Sequence, residues 1–164
     1  MPDPFALLGL PPRFDLDQAE LQQRFLAASS ENHPDRFTDP LDQADAAERS
    51  AAINHAHQTL ADPESRARAL LALHGDADEA DTDAALPPAL LMEVMEIREE
   101  MEQAIAGDDH ATLARLRTWA HEKRDEHVAE LASRFAASPV DATTVRRVLN
   151  ALRYVQRMLD QMPD

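Results

Sequence analysis

The chain has 164 residues, room for one ordinary domain or two small ones. Alanine, leucine, glutamate and arginine dominate and only 3 glycines occur, so helices are favoured over sheets and an all-α fold is expected. Sixteen Lys and Arg against 31 Asp and Glu leave a net charge of -15, which opposes binding to nucleic acid or to anionic membranes, and the lack of cysteine excludes disulfides, thiolate nucleophiles and Cys-ligated metal.

The opening Met1-Pro2-Asp3-Pro4-Phe5 has no basic n-region and no long apolar run follows, so a soluble cytoplasmic protein is expected. Phe5 to Leu10 can form one or two helical turns before Pro11-Pro12 ends them. Asp17 followed by Glu20 has the spacing of a helix cap, and Leu21, Phe25 and Ala28 recur at helical spacing, so a second helix is expected over roughly 17 to 31. A polar loop is expected from Thr38 to Asp42. Ala46, Ser50, Ile53, His57 and Leu60 then form the apolar stripe of a third helix, antiparallel to the second. Asp62 can cap a further short helix, with Pro63 in its first turn and Arg66 to Leu73 as its body, stopped by Gly75.

Asp76 to Ala84 contains no large apolar residue and reads as a solvated acidic linker. Pro87-Pro88 opens a long helix reaching Ala106, Gly107-Asp108-Asp109 ends it and caps another running to Ala137, and Asp141 begins the last after Ser138-Pro139. Short connections between three helices imply an antiparallel bundle. The expected organisation is a helical module over 1–75, a linker over 76–85 and a three-helix bundle over 86–164.

Between the second and third helices lies His33-Pro34-Asp35-Arg36-Phe37. Proline fixes its own φ and disfavours the α region for the preceding residue, so the helix must stop near Asn32 or His33, with His33 and Asp35 held on a short rigid loop. Taken alone, the tripeptide is equally a proline-terminated helix end whose polar side chains merely cap. Its context resembles the J domain of DnaJ-type co-chaperones, with Ile53-Asn54-His55-Ala56 through Leu60, Asp62-Pro63 and Arg66 in register. Phe5 with Leu8-Gly9-Leu10-Pro11, Phe14-Asp15-Leu16-Asp17, and Leu70-Leu71 through Leu73-His74-Gly75 extend this over the whole chain to the HscB family, the J-type co-chaperones of iron–sulfur cluster biogenesis.

That resemblance implies docking of the loop on an HscA-like heat-shock chaperone ATPase and stimulation of its ATP hydrolysis. The residues carried over are His33, Pro34 and Asp35, with Arg36 and Arg24 alongside. Arg24 is the sole cation between Leu16 and His33, where J domains usually present a basic face, so weak electrostatic steering is expected. Asn32 stands where an aromatic residue is common.

In the bundle, Leu90, Val94, Ile97, Met101 and Ala104 complete a core stripe by themselves. At about 100° per residue, Leu91 and Met95 fall on one flank of the stripe and Met92 opposite it, with Glu96, Glu99 and Gln103 nearby. An apolar patch with flexible methionines and a carboxylate rim suits a binding surface. The last helix has its stripe at Val145, Val148, Leu149, Leu152, Val155 and Leu159, and Tyr154 projects elsewhere among Arg147, Arg153 and Arg157. The resemblance implies that Leu91, Met92, Met95, Glu96, Glu99, Gln103 and Tyr154 bind an IscU-like scaffold protein, Gln103 replacing a more usual acidic residue. The alternative is that Leu91 and Met95 widen the core stripe or pack against the J domain.

The seven histidines lack the i, i+4 spacing of a helical zinc pair at His55/His57 and His121/His127, and His57 reads as a packed residue. Trp119, at the edge of a stripe of Leu113, Leu116, Ala120, Val128, Leu131 and Phe135, reads as core or domain interface. No cofactor, no metal and no catalytic activity are expected. The competing readings are a generic J-domain co-chaperone whose bundle binds a different client, and an enzyme using His33 and Asp35 as acid and base.

Overall fold

The computed structural model describes residues 2–75 and 88–163, so the linker expected over 76–85, and Pro87, lie outside the described residues. Among the described residues there are seven α-helices and a 3-10 turn and no strand. The chain divides into two compact units, Met1–Asp78 and Glu79–Asp164.

The first unit contains α1 (Pro4–Leu8), α2 (Gln18–Glu31), a 3-10 turn (Pro34–Arg36), α3 (Pro40–Ala61) and α4 (Pro63–Leu73). Three of these helices start with the same dipeptide, Asp-Pro: Asp3, Asp39 and Asp62 are N-caps and Pro4, Pro40 and Pro63 follow them. The aspartate accepts amide hydrogens that have no partner inside the helix, and proline has none to leave unpaired. Asp17 caps α2 in the same way, accepting from the Ala19 amide at 2.8 Å.

The expected loop from Thr38 to Asp42 is therefore shorter than the sequence reading placed it: Asp39 caps and Pro40 already belongs to α3. Helix α4 begins at Pro63 with Asp62 as its cap, as the sequence predicts. Gly9 ends α1 at φ +63, the left-handed region where a side chain is strained.

α3 packs on both α1 and α2. The core gathers Phe5, Leu8, Phe14, Leu21, Ile53, Leu60 and Leu70. Ala56 joins this core, whereas Ser50 and His57, assigned to the stripe from the sequence, are only half-buried. His57 stacks on Phe25 of α2, ring centroids 4.2 Å apart.

The second unit contains α5 (Pro88–Ala106), α6 (His110–Ala136) and α7 (Ala142–Gln161). Asp109 and Asp141 cap α6 and α7, each accepting from both the amide and the hydroxyl of the threonine three residues on. Those bonds favour the charged carboxylate and hold both groups below the usual carboxylate range. In the turn before α6 the left-handed residue is Asp108, φ +54, rather than Gly107. α7 is buried along Val145, Val148, Leu149, Leu152 and Val155, and also at Ala151 and Met158, which the sequence stripe left out. Leu159 is half-buried against the core, with Ile97 and Trp119. Val128 and Phe135 of the α6 stripe are also half-buried rather than enclosed.

Candidate functional site

His33 ends the extended approach from α2 and is itself the N-cap of the 3-10 turn. Its Nδ1 accepts from the Asp35 amide at 3.3 Å, which places the proton of the neutral ring on Nε2. The Asp35 carboxylate lies 3.6 Å from the same Nδ1 and is almost fully exposed. Three bonds hold this turn from outside: Asn32 Nδ2 donates to the Ala28 carbonyl (2.8 Å), Arg36 to the Ser30 carbonyl (3.1 Å) and Gln43 Nε2 to the Phe37 carbonyl (2.7 Å). The loop thus offers an imidazole N–H and a carboxylate from a backbone tied to both α2 and α3.

Arg36 caps the last carbonyls of α2, a favourable place for a cation at the negative end of a helix. Arg24 lies 3.7 Å from Glu20, and Arg13 lies 4.0 Å from the same carboxylate. The lone cation of α2 is therefore partly compensated within its own helix. Both pairs are exposed, so each contributes little to stability.

On α5, Leu91, Met95, Glu99 and Gln103 occur every fourth residue and share one face, with Met92 and Glu96 beside them. Leu91 is 43% exposed, Met92 64% and Met95 63%. None of the three is core, so widening of the core stripe does not account for Leu91 or Met95. Of the other carboxylates on α5, Glu100 pairs with Arg115 and Glu102 with Arg98. Glu99 accepts from Gln103 Nε2 at 3.3 Å, and among the described residues Glu96 and Glu99 pair with no cation. Tyr154 on α7, a helix packed against α5, is 42% exposed.

The sequence reading weighed His127 only as a metal ligand. Its Nε2 is buried without a hydrogen-bond partner, and burial pushes the imidazole below its ordinary pKa despite Glu130 and Glu126 nearby. A signal was available, since His127 adjoins the apolar stripe at Val128. Among the described residues no group of three or more His, Asp or Glu could hold a metal ion, and no helix is long and apolar enough to cross a membrane.

The DnaJ domain model matches residues 3–69, and that of the HSCB C-terminal oligomerisation domain matches residues 86–162. A co-chaperone protein HscB homolog of Vibrio cholerae serotype O1 is 35% identical over 166 residues, covering 96% of this chain and 97% of the relative. Another from Cupriavidus taiwanensis is 39% identical over 134 residues, 77% of this chain and 74% of the relative. Among solved structures, the chaperone HscB from Vibrio cholerae matches with TM-score 0.82 and 32% identity over 98% of this chain and 94% of that one. The human co-chaperone protein HscB matches with TM-score 0.87 and 26% identity over 98% and 80%.

Proposed function

The chain belongs to the HscB family of J-domain co-chaperones, and we propose that it stimulates an HscA-like heat-shock chaperone ATPase and delivers an IscU-like iron–sulfur scaffold protein to it. In this reading residues 1–75 dock the ATPase and residues 86–164 carry the scaffold. The observation that supports it most is the exposure of Leu91, Met92 and Met95 beside Glu96 and Glu99, which pair with no cation among the described residues. Such a face fits a partner that brings an apolar segment flanked by Lys or Arg.

The ATPase arm rests on the His33 loop. Its groups are pre-organised, so little rotational freedom is lost when an imidazole N–H and a carboxylate meet the ATPase. The co-chaperone supplies contacts and takes no proton in this scheme. ATP hydrolysis remains the chemistry of the chaperone.

The test is calorimetric titration of an IscU-type scaffold into this chain and into a Met92→Ala, Tyr154→Ala double variant. Binding by the native chain with a loss of about 2 kcal/mol or more in the variant supports the assignment, as expected when interface anchors are truncated. Undiminished binding in the variant moves the site elsewhere. Absence of binding by the folded native chain leaves a J-domain co-chaperone with another client.

A further inference from the structure

The chain has 31 acidic side chains to 16 basic ones, and several of its cations are engaged by carboxylates. In the second unit, Arg98 is taken by Glu102, Arg115 by Glu100, Lys123 by Glu126 and Arg134 by Glu130. One cleft gathers two arginines and a histidine. It has a volume of about 310 Å³, runs between α6 and α7, and is lined by Arg117, His121, Arg124, Gln156, Leu159 and Asp160.

Arg117, His121 and Arg124 follow one another at four and three residues, so they share one face of α6. Arg117 donates through Nη2 to the backbone carbonyl of Pro163, and among the described residues it pairs with no carboxylate. Among the described residues the ion-pair partner of Arg124 is its sequence neighbour Asp125, at 3.5 Å, and Asp125 does not line the cleft. On the α7 side, Asp160 is the single lining carboxylate, and its Oδ1 already accepts from Gln156 Nε2 at 2.9 Å. Leu159, half-buried against the core, gives the cleft an apolar patch.

We propose that this cleft binds a small oxyanion, a ligand carrying a phosphate or carboxylate group. Arg117 and Arg124 supply guanidinium forks whose geometry matches two oxygens of such a group, and His121 adds a third polar contact. The free oxygen of Asp160 accepts from a hydroxyl on the same ligand, which favours a hydroxylated or singly protonated anion over a bare one. The volume lies at the small end of ligand sites, suited to a metabolite and not to a folded partner. The site lies on α6 and α7, and its occupation is independent of the scaffold and ATPase assignments.

The full chain would be titrated with inorganic phosphate, and separately with citrate, at constant ionic strength balanced with sodium chloride. The readout is the NMR shift of the arginine Nε–H and Gln156 side-chain signals. Saturable shifts confined to the cleft, weakened about tenfold or more in Arg117→Gln, Arg124→Gln, are expected. Saturation with phosphate alone assigns a phosphate ligand, and saturation with citrate alone a carboxylate. Shifts that never saturate, or that persist unchanged in the variant, overturn the proposal. Should the double variant lose its helical circular dichroism, Arg124→Gln alone serves, with an expected weakening of about threefold or more.

Discussion

Arg66 donates through Nη1 to the carbonyl of Phe14 at 2.7 Å, a contact across 52 residues of chain, while its guanidinium sits 5.3 Å from the centre of the Phe14 ring. Its Nε donates to the Leu60 carbonyl at 2.7 Å and its Nη2 to that of Ala61 at 3.3 Å. One buried cation thereby ties the segment before α2 to the corner between α3 and α4. Burial lowers its pKa from the ordinary arginine value, and Asp62 and Asp15 work against that shift. Replacing Arg66 by Met leaves carbonyls without donors and is expected to cost about 2–4 kcal/mol. Urea denaturation of residues 1–164 with both units resolved would measure it, and a change below 1 kcal/mol would show the clamp to be dispensable.

His33→Gln removes an exposed side chain whose one bond is to the Asp35 amide. Stability should change by no more than about 0.5 kcal/mol, as for most exposed substitutions. Stimulation of the chaperone ATPase should nevertheless disappear. A thermal melt alongside a steady-state ATPase assay separates the two effects, and retained stimulation would count against docking through this loop.

If the proposed scaffold face is right, Glu96 and Glu99 should make binding sensitive to salt, since exposed charges across an interface are screened over about 8–10 Å at physiological ionic strength. The double variant Glu96→Gln, Glu99→Gln should bind more weakly in low salt and converge on the native chain in high salt. The dependence of Kd on sodium chloride reads this directly. Parallel curves for the two proteins would remove the carboxylates from the interface.

His127 has its folded pKa lowered by burial, so below about pH 6.5 the unfolded chain binds the extra proton more readily. Stability should therefore fall as pH drops from about 6.5 through the depressed folded value. Glu130, Glu126 and Lys123 on α6 and Glu93 on α5 are the charges around the ring. His127→Leu should flatten this part of the profile and gain about 1 kcal/mol at neutral pH by removing an unpaired buried nitrogen. Denaturation midpoints from pH 5 to 8 would show either result, and superimposable profiles would relieve His127 of the role.

Asp108 adopts φ +54 at an exposed turn, where a side chain is less comfortable than hydrogen. Asp108→Gly should raise stability by about 0.5–1 kcal/mol, the usual scale of such backbone effects. A lower midpoint would mean that the greater freedom of glycine in the unfolded chain outweighs the relief.

Much of the helix plan was readable because its signals are local. Asp17, Asp62 and Asp141 mark their helices as caps, and Pro34 stops α2 where backbone sterics require. The same signal stood at Asp39-Pro40 and was outweighed by the polar character of Thr38 to Asp42, so α3 was placed too short. Core membership was legible only where a residue sat near the middle of a stripe. Met158 and Ala151 lie at the margins of α7, and their burial depends on which neighbouring helix covers that side.

The surplus apolar residues of α5 were legible in the sequence, but their environment was not. Leu91, Met92 and Met95 are surplus to the core stripe, and that excess can be read from helical periodicity. That Glu100 and Glu102 are paired while Glu96 is not follows from where Arg115 and Arg98 reach.

The sequence alone determined the all-α class, the caps and the His-Pro-Asp turn, because these follow from hydrogen bonds and sterics within a few residues of one another. Tertiary structure decided that Arg66 reaches Phe14, that His127 Nε2 is buried, and that Arg117 and Arg124 face Gln156 and Asp160 across one cleft. Each of these needs two segments far apart in the chain to be packed together. Burial and charge pairing are properties of that packing, and no local pattern carries them.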